Sequence, residues 1–329
     1  MIKFAKERVN LICNQLKGWS IVQKVHLDSM QVKEGCFITP AEADAAPGEW
    51  KNFDMGKDHW YGPDRHYWFR TEVTVPESFD GKELWLRIHT GLNDWDDGRN
   101  PQFLLFINGQ VIQGLDINHR EVFVKANAKA GETFRMDLQS YTGTLHDEFH
   151  LIVDLEEHDR KLRKAYYDIA VPMYGLNRMK EDDKIRLDLE TALTDTINLL
   201  DLRMPYSKEF YASVEAAEAH IQEAVYEKMG GYEEVIATCI GHTHIDVAWL
   251  WTIDQVRQKS CRSFATVLKL MEEYPDYHFM SSQPKLYSFV KERHPEMYQR
   301  IKDRVKEGRW EPEGGMWVEA DCNLTSGES

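Results

Sequence analysis

The sequence predicts a multidomain chain in which an antiparallel β-sandwich is followed by a helical bridge and then by the start of an α/β domain. Three patterns carry this prediction. Short runs between residues 68 and 157 alternate apolar and polar side chains, residues 185–225 repeat apolar side chains at helical spacing, and strand-like and helical segments alternate from residue 235 onward. We place an N-terminal helix plus the sandwich at residues 1–172, a helical linker at 173–231 and the α/β domain at 232–329.

The chain begins with a short amphipathic helix, because Val9, Ile12 and Leu16 recur near helical spacing. Charged residues run through this segment and no long apolar stretch occurs, so we predict neither a signal peptide nor a membrane span. Five widely spaced cysteines without a CxxC pair are typical of reduced thiols, and we expect a cytoplasmic protein.

The sandwich is predicted from period-two segments separated by turn residues. These segments are 68–75, 83–90, 101–109, 120–126 and 150–157, and each is rich in aromatic or β-branched residues. Asn108 and Gly109 supply the positive φ angles of a tight hairpin turn between two apolar strands. The layout resembles a galactose-binding-type jelly roll.

Aromatic residues are concentrated among charged ones at residues 57–69, including Trp60, Tyr61, Tyr67 and Trp68. This is the composition of a carbohydrate cleft. Aromatic side chains at strand ends also commonly fill a sandwich core, so packing is the competing interpretation. A second candidate, the acidic turn at residues 94–97, lacks the oxygen set of a calcium loop and is interpreted as a solvated turn.

Two amphipathic helices are predicted next, over residues 185–200 and 210–225, and Gly230 and Gly231 end the second one. A helix at 254–273, a strand at 278–282, a helical stretch at 285–307 interrupted by Pro295, and a strand and loop at 309–321 follow. Because strands and helices alternate, we expect a parallel sheet of the β/α-barrel type.

The first strand of that domain is predicted at residues 235–240, a nearly continuous apolar run typical of a strand buried on both faces. It leads into His242, His244 and Asp246, whose spacing sends all three side chains to one face of an extended backbone. Ligands of open α/β sheets collect at the carboxyl ends of strands.

Two imidazoles and a carboxylate at one strand end are donors that suit zinc, and they also suit other divalent metals. A strand terminus held by hydrogen bonds is the alternative that the spacing leaves open. Trp249 and Trp251 follow at once, and large aromatic rings beside polar ligands are what a sugar-binding cleft requires.

Two long motifs now identify a family. The chain reads GHTHIDVAWLW from Gly241 and GGMWVEADCNLTSGES from Gly314. Together they resemble the α-mannosidases of glycoside hydrolase family 38, and most closely the branch with cytosolic and bacterial members. The resemblance covers roughly residues 233–329, and it departs from the family where Thr325 stands in place of an expected Pro.

The resemblance implies a zinc-dependent retaining α-mannosidase that hydrolyses terminal α-mannosyl linkages. Matched position by position, its metal ligands are His244, Asp246 and Asp321, and Asp321 is also the nucleophile of a double displacement. Trp249 matches the position whose indole supports the sugar. A further ligand histidine and the general acid/base are expected beyond residue 329, so we expect an N-terminal fragment with little activity of its own.

Neighbouring residues receive smaller roles. His242 lies on the same face as His244 and is expected to support the ligands through hydrogen bonding. Glu319 is expected either to contact substrate or to lie on the polar rim. Asp254 is expected to begin a helix, where its charge complements the helix dipole.

The remaining expectations concern partners. Forty Lys and Arg residues stand against 55 Asp and Glu, a formal net charge of −15, which argues against nucleic acid as a partner. We expect the substrate to be a mannose-containing glycan or a small mannoside, and we expect no membrane partner. A homo-oligomer is compatible with the sequence. The alternatives are a non-catalytic carbohydrate-binding module and a zinc hydrolase that uses metal-bound water.

Overall fold

A computed structural model describes residues 5–92, 99–229 and 237–319. The chain divides into two compact units. The first comprises residues 1–24 and 156–238, and the second comprises residues 25–155 and 239–329. The domain limits predicted at residues 172 and 231 stay predictions. Within the described ranges, no helix is long and apolar enough to cross a membrane.

The helices are α1 (Ala5–Trp19), α2 (Pro40–Ala45), α3 (Arg160–Leu176), α4 (Lys184–Asn198), α5 (Lys208–Ile221), α6 (Ile253–Glu273), α7 (Pro284–Arg293) and α8 (Pro295–Lys306). A 3₁₀ turn spans Glu77–Phe79, and a π-helical segment, Gln222–Glu227, continues α5. The predicted helices at 185–200, 210–225 and 254–273 are confirmed, and so is the break at Pro295.

The strands are β1 (Ile21–His26), β2 (Ser29–Glu34), β3 (Lys51–Asp54), β4 (Trp60–Tyr61), β5 (His66–Thr74), β6 (Leu84–His89), β7 (Gln102–Ile107), β8 (Gln110–Leu115), β9 (Glu121–Lys125), β10 (Thr133–Tyr141), β11 (Glu148–Phe149), β12 (Ile152–His158), β13 (Gly241–His242), β14 (Phe279–Met280) and β15 (Trp310–Glu311). Each of the five period-two segments predicted before residue 158 overlaps one of these strands.

The first unit has a helical core. Apolar side chains of α1, α3, α4 and α5 pack together in it, among them Leu16, Ile169, Leu193 and Val214. The expectation that β structure continues to Pro172 is wrong, because α3 begins at Arg160 and Pro172 lies inside it. Leu162, Ala165 and Ile169 recur at helical spacing and bury one face of α3, and Asp159 caps its first turn.

Two antiparallel sheets enclose one core in the second unit. The strand order is β1-β12-β6-β9 in the smaller sheet and β3-β2-β5-β10-β7-β8 in the larger one. Both sheets send apolar side chains into the shared core, including Leu86 and Val153 from the first and Phe69 and Leu138 from the second. The chain is therefore a mixed helix and sheet structure with separate sheets.

The predicted hairpin joins β7 to β8. Asn108 has a φ of 50° and Gly109 a φ of 81°, and the two strands pair antiparallel, which confirms the turn. Side chains along β7 alternate between two cores. Phe103 and Leu105 face the sandwich core, whereas Leu104 and Phe106 face a second core formed with helices. The larger sheet is thus covered on both faces.

Helices α6, α7 and α8 build this second core against the larger sheet. Backbones approach closely where α6 crosses β8, because a Cβ on Gly114 would lie 2.3 Å from the carbonyl oxygen of Arg262. Thr266 Oγ1 donates a hydrogen bond to the Gly114 carbonyl at 2.9 Å at the same crossing. α6 begins with a capping box in which Thr252 and Gln255 bond reciprocally.

The α/β part contains a parallel sheet in the order β13-β14-β15. The predicted strand at residues 235–240 is wrong over the part that the structure describes. Residues 237–240 are exposed and lie in no strand, and the strand is Gly241–His242; residues 235 and 236 lie outside the described ranges. Among the described strands β13 pairs only with β14, so no second neighbour covers the preceding residues. No closed barrel occurs within the described ranges.

Candidate metal centre

The candidate metal centre lies where the parallel strands end. A Cβ on Gly241 would lie 2.2 Å from the phenolic oxygen of Tyr277, so any larger residue at the start of β13 would have to displace the Tyr277 side chain. Gly241 and His242 pair in register with Phe279 and Met280. Because the strands are parallel, their carboxyl ends meet at one edge, and residues 243–249 leave the sheet at that edge.

His244 is flanked by two carboxylates. Its Nε2 lies 3.0 Å from Asp246 Oδ1, and its Nδ1 lies 3.1 Å from Glu319 Oε2. Two ligands of a tetrahedral zinc with bonds of about 2.0 Å are separated by about 3.3 Å, so the His244 and Asp246 donor atoms fit one ion. The bond to Glu319 matches the way a carboxylate orients a metal-bound imidazole through its other ring nitrogen.

Glu319 is itself held in place by residues that follow β14. Ser282 Oγ donates to Glu319 Oε1, and the Glu319 backbone N–H donates to Gln283 Oε1 at 3.3 Å. The buried Gln283 amide also donates to the Ile245 carbonyl at 3.0 Å, between His244 and Asp246. One side chain therefore connects the His244 segment to the Glu319 segment.

The structure gives Glu319 a more specific place than the sequence did. A contact with substrate or a position on the rim was expected, whereas the carboxylate bonds His244 Nδ1. His242 bonds elsewhere, because its Nδ1 lies 3.0 Å from the Met280 carbonyl oxygen on the neighbouring strand. The His242 side chain therefore steadies the edge of the sheet. Asp321 lies outside the described residues, so its predicted roles as ligand and nucleophile stay predictions.

Aromatic side chains stand at the same edge. The Trp251 indole donates from Nε1 to the Asp246 carbonyl at 3.0 Å, which fixes that ring against the loop. Trp249 packs edge to face against it at a centroid distance of 5.3 Å and remains 65% exposed. Trp317 is also about half exposed, with Lys285 Nζ 5.5 Å from its ring. Exposed indoles can stack on the apolar face of a sugar ring.

The aromatic cluster at residues 57–69 packs inside the second unit. Trp60 and Tyr67 belong to the sandwich core, Trp68 belongs to the core shared with the helices, and Tyr61 is exposed. The Trp60 indole donates to the His150 carbonyl at 3.0 Å. These contacts support the packing interpretation over a carbohydrate cleft in this segment.

A second cluster of donor atoms escaped the sequence analysis. Ligand atoms of Cys36, His66 and Asp254 lie within 4.8 Å of one another. Asp254 stands in the first turn of α6, as predicted, but its Oδ1 accepts from Arg293 at 2.8 Å and its Oδ2 accepts from Gln258 at 3.2 Å. Because both oxygens already have donors, we assign no metal to this cluster.

Comparison with known proteins identifies the part of the chain that carries the candidate metal centre. Residues 234–329 match the N-terminal domain of glycosyl hydrolases family 38. This part of the chain belongs to that family. The match includes His244, Asp246 and Glu319, so the geometry described above lies inside the family 38 domain.

Similar proteins extend the resemblance over most of the chain. Alpha-mannosidase G of Dictyostelium discoideum is 30% identical over 309 residues, which cover 87% of this chain and 27% of that protein. Human alpha-mannosidase 2C1 is 27% identical over 282 residues, which cover 80% of this chain and 26% of that protein. The chain spans about a quarter of the length of these two relatives.

An alpha-mannosidase of Saccharomyces cerevisiae is 37% identical over 108 residues, or 32% of this chain and 10% of that protein. Among solved structures, a β-glucuronidase of Faecalibacterium prausnitzii overlaps 42% of this chain and 32% of that one at 14% identity. Its TM-score of 0.28 is too low to support an argument about the fold.

Proposed function

We propose that this chain contributes the metal centre of a zinc-dependent retaining α-mannosidase that hydrolyses terminal α-mannosyl linkages. The observation that carries the proposal is the pairing of His244 with Asp246 and Glu319 inside a family 38 domain. Three relatives named α-mannosidases support the choice of sugar. The substrate is a mannose-containing glycan or a small mannoside, and we place the protein in the cytoplasm.

His244, Asp246 and Asp321 would hold the zinc. When bound, zinc supplies Lewis-acid charge and a template for the vicinal hydroxyls of a mannosyl ring. Glu319 keeps Nδ1 of His244 occupied, which leaves Nε2, beside Asp246, as the atom that would bind the ion. The exposed Trp249 indole offers a flat apolar surface on which the sugar stacks.

The reaction proceeds in two steps. Asp321 attacks the anomeric carbon through a carboxylate oxygen while the bond to the leaving oxygen breaks and a general acid protonates that oxygen. Water then gives a proton to the same acid/base group, attacks the same carbon and releases the Asp321 carboxylate, so mannose leaves with its original anomeric configuration. We place the general acid/base and one more ligand histidine in the part of the enzyme that follows residue 329.

The finer architecture is part of this proposal. We assign a jelly-roll topology of the galactose-binding type to the two antiparallel sheets, and we assign the parallel strands β13, β14 and β15 to the start of a β/α barrel. The support is the shared core of the two antiparallel sheets and the parallel pairing of the three short strands.

Zinc content and turnover of the full-length gene product test the proposal. We expect wild type to contain zinc and to cleave an α-mannoside with retention, measured by metal analysis and by proton NMR of the first-formed anomer. Asp246→Ala should lose both zinc and turnover, whereas Asp195→Ala, which removes an exposed helical carboxylate, should keep both. A metal-free wild type, or an Asp246→Ala variant with normal zinc and turnover, would refute the metal assignment.

Asp321→Asn tests the nucleophile separately. We expect it to keep its fold and to lose turnover by a factor of about 10³ or more, because an amide cannot form the glycosyl ester. Circular dichroism checks the fold of the variant. Turnover near that of wild type would refute the role of Asp321 as nucleophile and leave the zinc ligands to be judged on their own test.

A further inference from the structure

A pocket of about 250 Å³ lies beside β13, on the side where α6 meets the loop that follows β8. Residues of α6, including Lys259, Arg262 and Ser263, form one wall, and His119 and His242 stand on other walls. All of these residues belong to the second unit. The volume is slightly below the range of about 300–1,000 Å³ that is typical of drug-sized ligands, so the pocket suits a small molecule.

Arg262 is the unusual residue of this pocket. It is 7% exposed, and its Nε has no hydrogen-bond partner. Within the described ranges no carboxylate forms an ion pair with its guanidinium, and the ring of Tyr141 lies 5.9 Å from its Cζ. Burial lowers the pKa of Arg262 to about 10, the direction expected when a cation is desolvated without a counter-ion.

A buried guanidinium without a partner is costly, because desolvation of the charge is not repaid by hydrogen bonds. Because Nε is shielded from solvent, a ligand in the pocket would bond the terminal N–H groups of the guanidinium. Guanidinium presents its N–H groups in a planar fork that matches two oxygens of a phosphate or carboxylate. Lys259 lies three residues earlier on the same helix face and adds a second cation.

Asp116 also lines the pocket, and its carboxylate already accepts hydrogen bonds from neighbouring residues. Burial raises its pKa, but hydrogen bonds from His119 Nδ1 at 3.0 Å and from the backbone N–H groups of Asn118 and His119 lower it overall. Asp116 interacts with Arg262 only at longer range. Lys259 and Arg262 carry two positive charges against the one negative charge of Asp116, so the charged side chains that line the pocket sum to +1.

We propose that this pocket binds a small ligand through an oxyanion group of the phosphate type, which the Arg262 guanidinium and Lys259 receive. This binding site is separate from the metal ligands His244 and Asp246 and does not rest on the mannosidase proposal. His242 and Thr243 line the pocket directly before His244, so a bound anion would lie beside the segment that enters the metal centre.

Inorganic phosphate is the probe for this proposal, and thermal unfolding of the full chain is the measurement. At a concentration about tenfold above its dissociation constant, phosphate should raise the melting temperature of wild type by about 2 °C relative to sodium chloride of equal ionic strength. Arg262→Met should abolish this shift. The variant should still fold, because methionine removes a buried charge whose desolvation cost no ion pair offsets.

Matched variants make the test specific. Arg300→Met removes a guanidinium that already binds Glu272 at 3.0 Å and the Val111 carbonyl at 3.1 Å, so it should keep the phosphate shift. Asp246→Ala should also keep it, which separates this pocket from phosphate bound at a metal. Isothermal titration calorimetry of wild type and Arg262→Lys should show weaker binding in the lysine variant, since lysine lacks the planar fork.

No phosphate shift in wild type beyond the chloride control would overturn the proposal. An equal shift in wild type and Arg262→Met would overturn it as well, because the anion would then bind elsewhere. Loss of the shift in Asp246→Ala but not in Arg262→Met would assign the anion to the metal centre and would likewise refute the pocket.

Discussion

Gln283 connects the two segments that form the candidate metal centre, and its replacement is the most informative perturbation of this site. The side chain is 4% exposed. Its amide nitrogen donates to the Ile245 carbonyl at 3.0 Å, and its amide oxygen accepts from the Glu319 backbone at 3.3 Å. Gln283 also has a φ of 66°, in the left-handed region that favours glycine.

The cost of Gln283→Ala follows from these contacts. Ile245 is fully buried, so its carbonyl would lose its hydrogen bond without gaining water, at a cost of about 1–3 kcal/mol. Glu319 is exposed, so its backbone N–H can bond water instead, and the loss of its hydrogen bond to Gln283 adds little to the cost. We therefore expect the free energy of unfolding to fall by about 2 kcal/mol. Gln283→Gly should lose about 1 kcal/mol less, because glycine adopts a positive φ without strain.

The effect should extend to metal binding. With Gln283 removed, Glu319 loses an anchor and orients the His244 imidazole less firmly, and changes to such outer residues typically weaken metal affinity by about 10–100-fold. Urea unfolding followed by circular dichroism measures the stability change, and zinc titration against a competing chelator measures affinity. Gln299→Ala is the control, because it removes one hydrogen bond to Asp303 on an exposed helix face.

The control should change the free energy of unfolding by less than about 0.5 kcal/mol. The reasoning fails if Gln283→Ala is as stable as Gln299→Ala, since the bond to the Ile245 carbonyl would then contribute nothing. It also fails for the metal centre if stability falls while zinc affinity stays at the wild-type value.

Two further predictions concern packing and pH. Gly114→Ala should destabilise the protein by about 1–3 kcal/mol, because its Cβ would lie 2.3 Å from the backbone oxygen of Arg262. Gly175→Ala in α3 has open space around its Cβ and should stabilise the protein by about 0.5–1 kcal/mol. Thermal unfolding of both variants measures these changes. His294 is 2% exposed, and burial, followed by the Arg293 charge, lowers its pKa from 6.5 to about 4. Between pH 6.5 and about pH 4 the unfolded state therefore binds more protons at this residue than the folded state does. The contribution of neutral His294 to the free energy of unfolding is complete above about pH 6.5 and falls by about 2 kcal/mol at pH 5. His294→Gln should remove that component from urea unfolding at pH 7.5 and pH 5, and an unchanged pH dependence would contradict it.

Local patterns along the chain were sufficient for most of the regular structure. The β7–β8 hairpin depends on Asn108 and Gly109, which carry positive φ angles regardless of what packs on the strands. The long helix α6 was predicted from its apolar spacing and its start near residue 254. These elements are determined by interactions between residues close in sequence, which is why the sequence alone predicts them.

The errors occur where tertiary contacts override those patterns. The segment 101–109 was predicted only as a strand of the sandwich, but Leu104 and Phe106 of β7 face a second core, because helices cover the outer face of the sheet. Pro172 was expected to precede the helical region, yet α3 contains it, since buried side chains on both sides of the proline hold that helix in place.

The sequence by itself determined that His244 and Asp246 lie close together. Only one residue separates them, so their 3.0 Å contact follows from a short stretch of loop. Only the tertiary structure decided which groups orient them, because Gln283 and Glu319 are 39 and 75 residues away from His244 along the chain. The tertiary structure also decided the environment of Arg262, which the helical spacing of α6 alone does not predict. Packing of α6 against β8 leaves Arg262 7% exposed in the wall of a pocket.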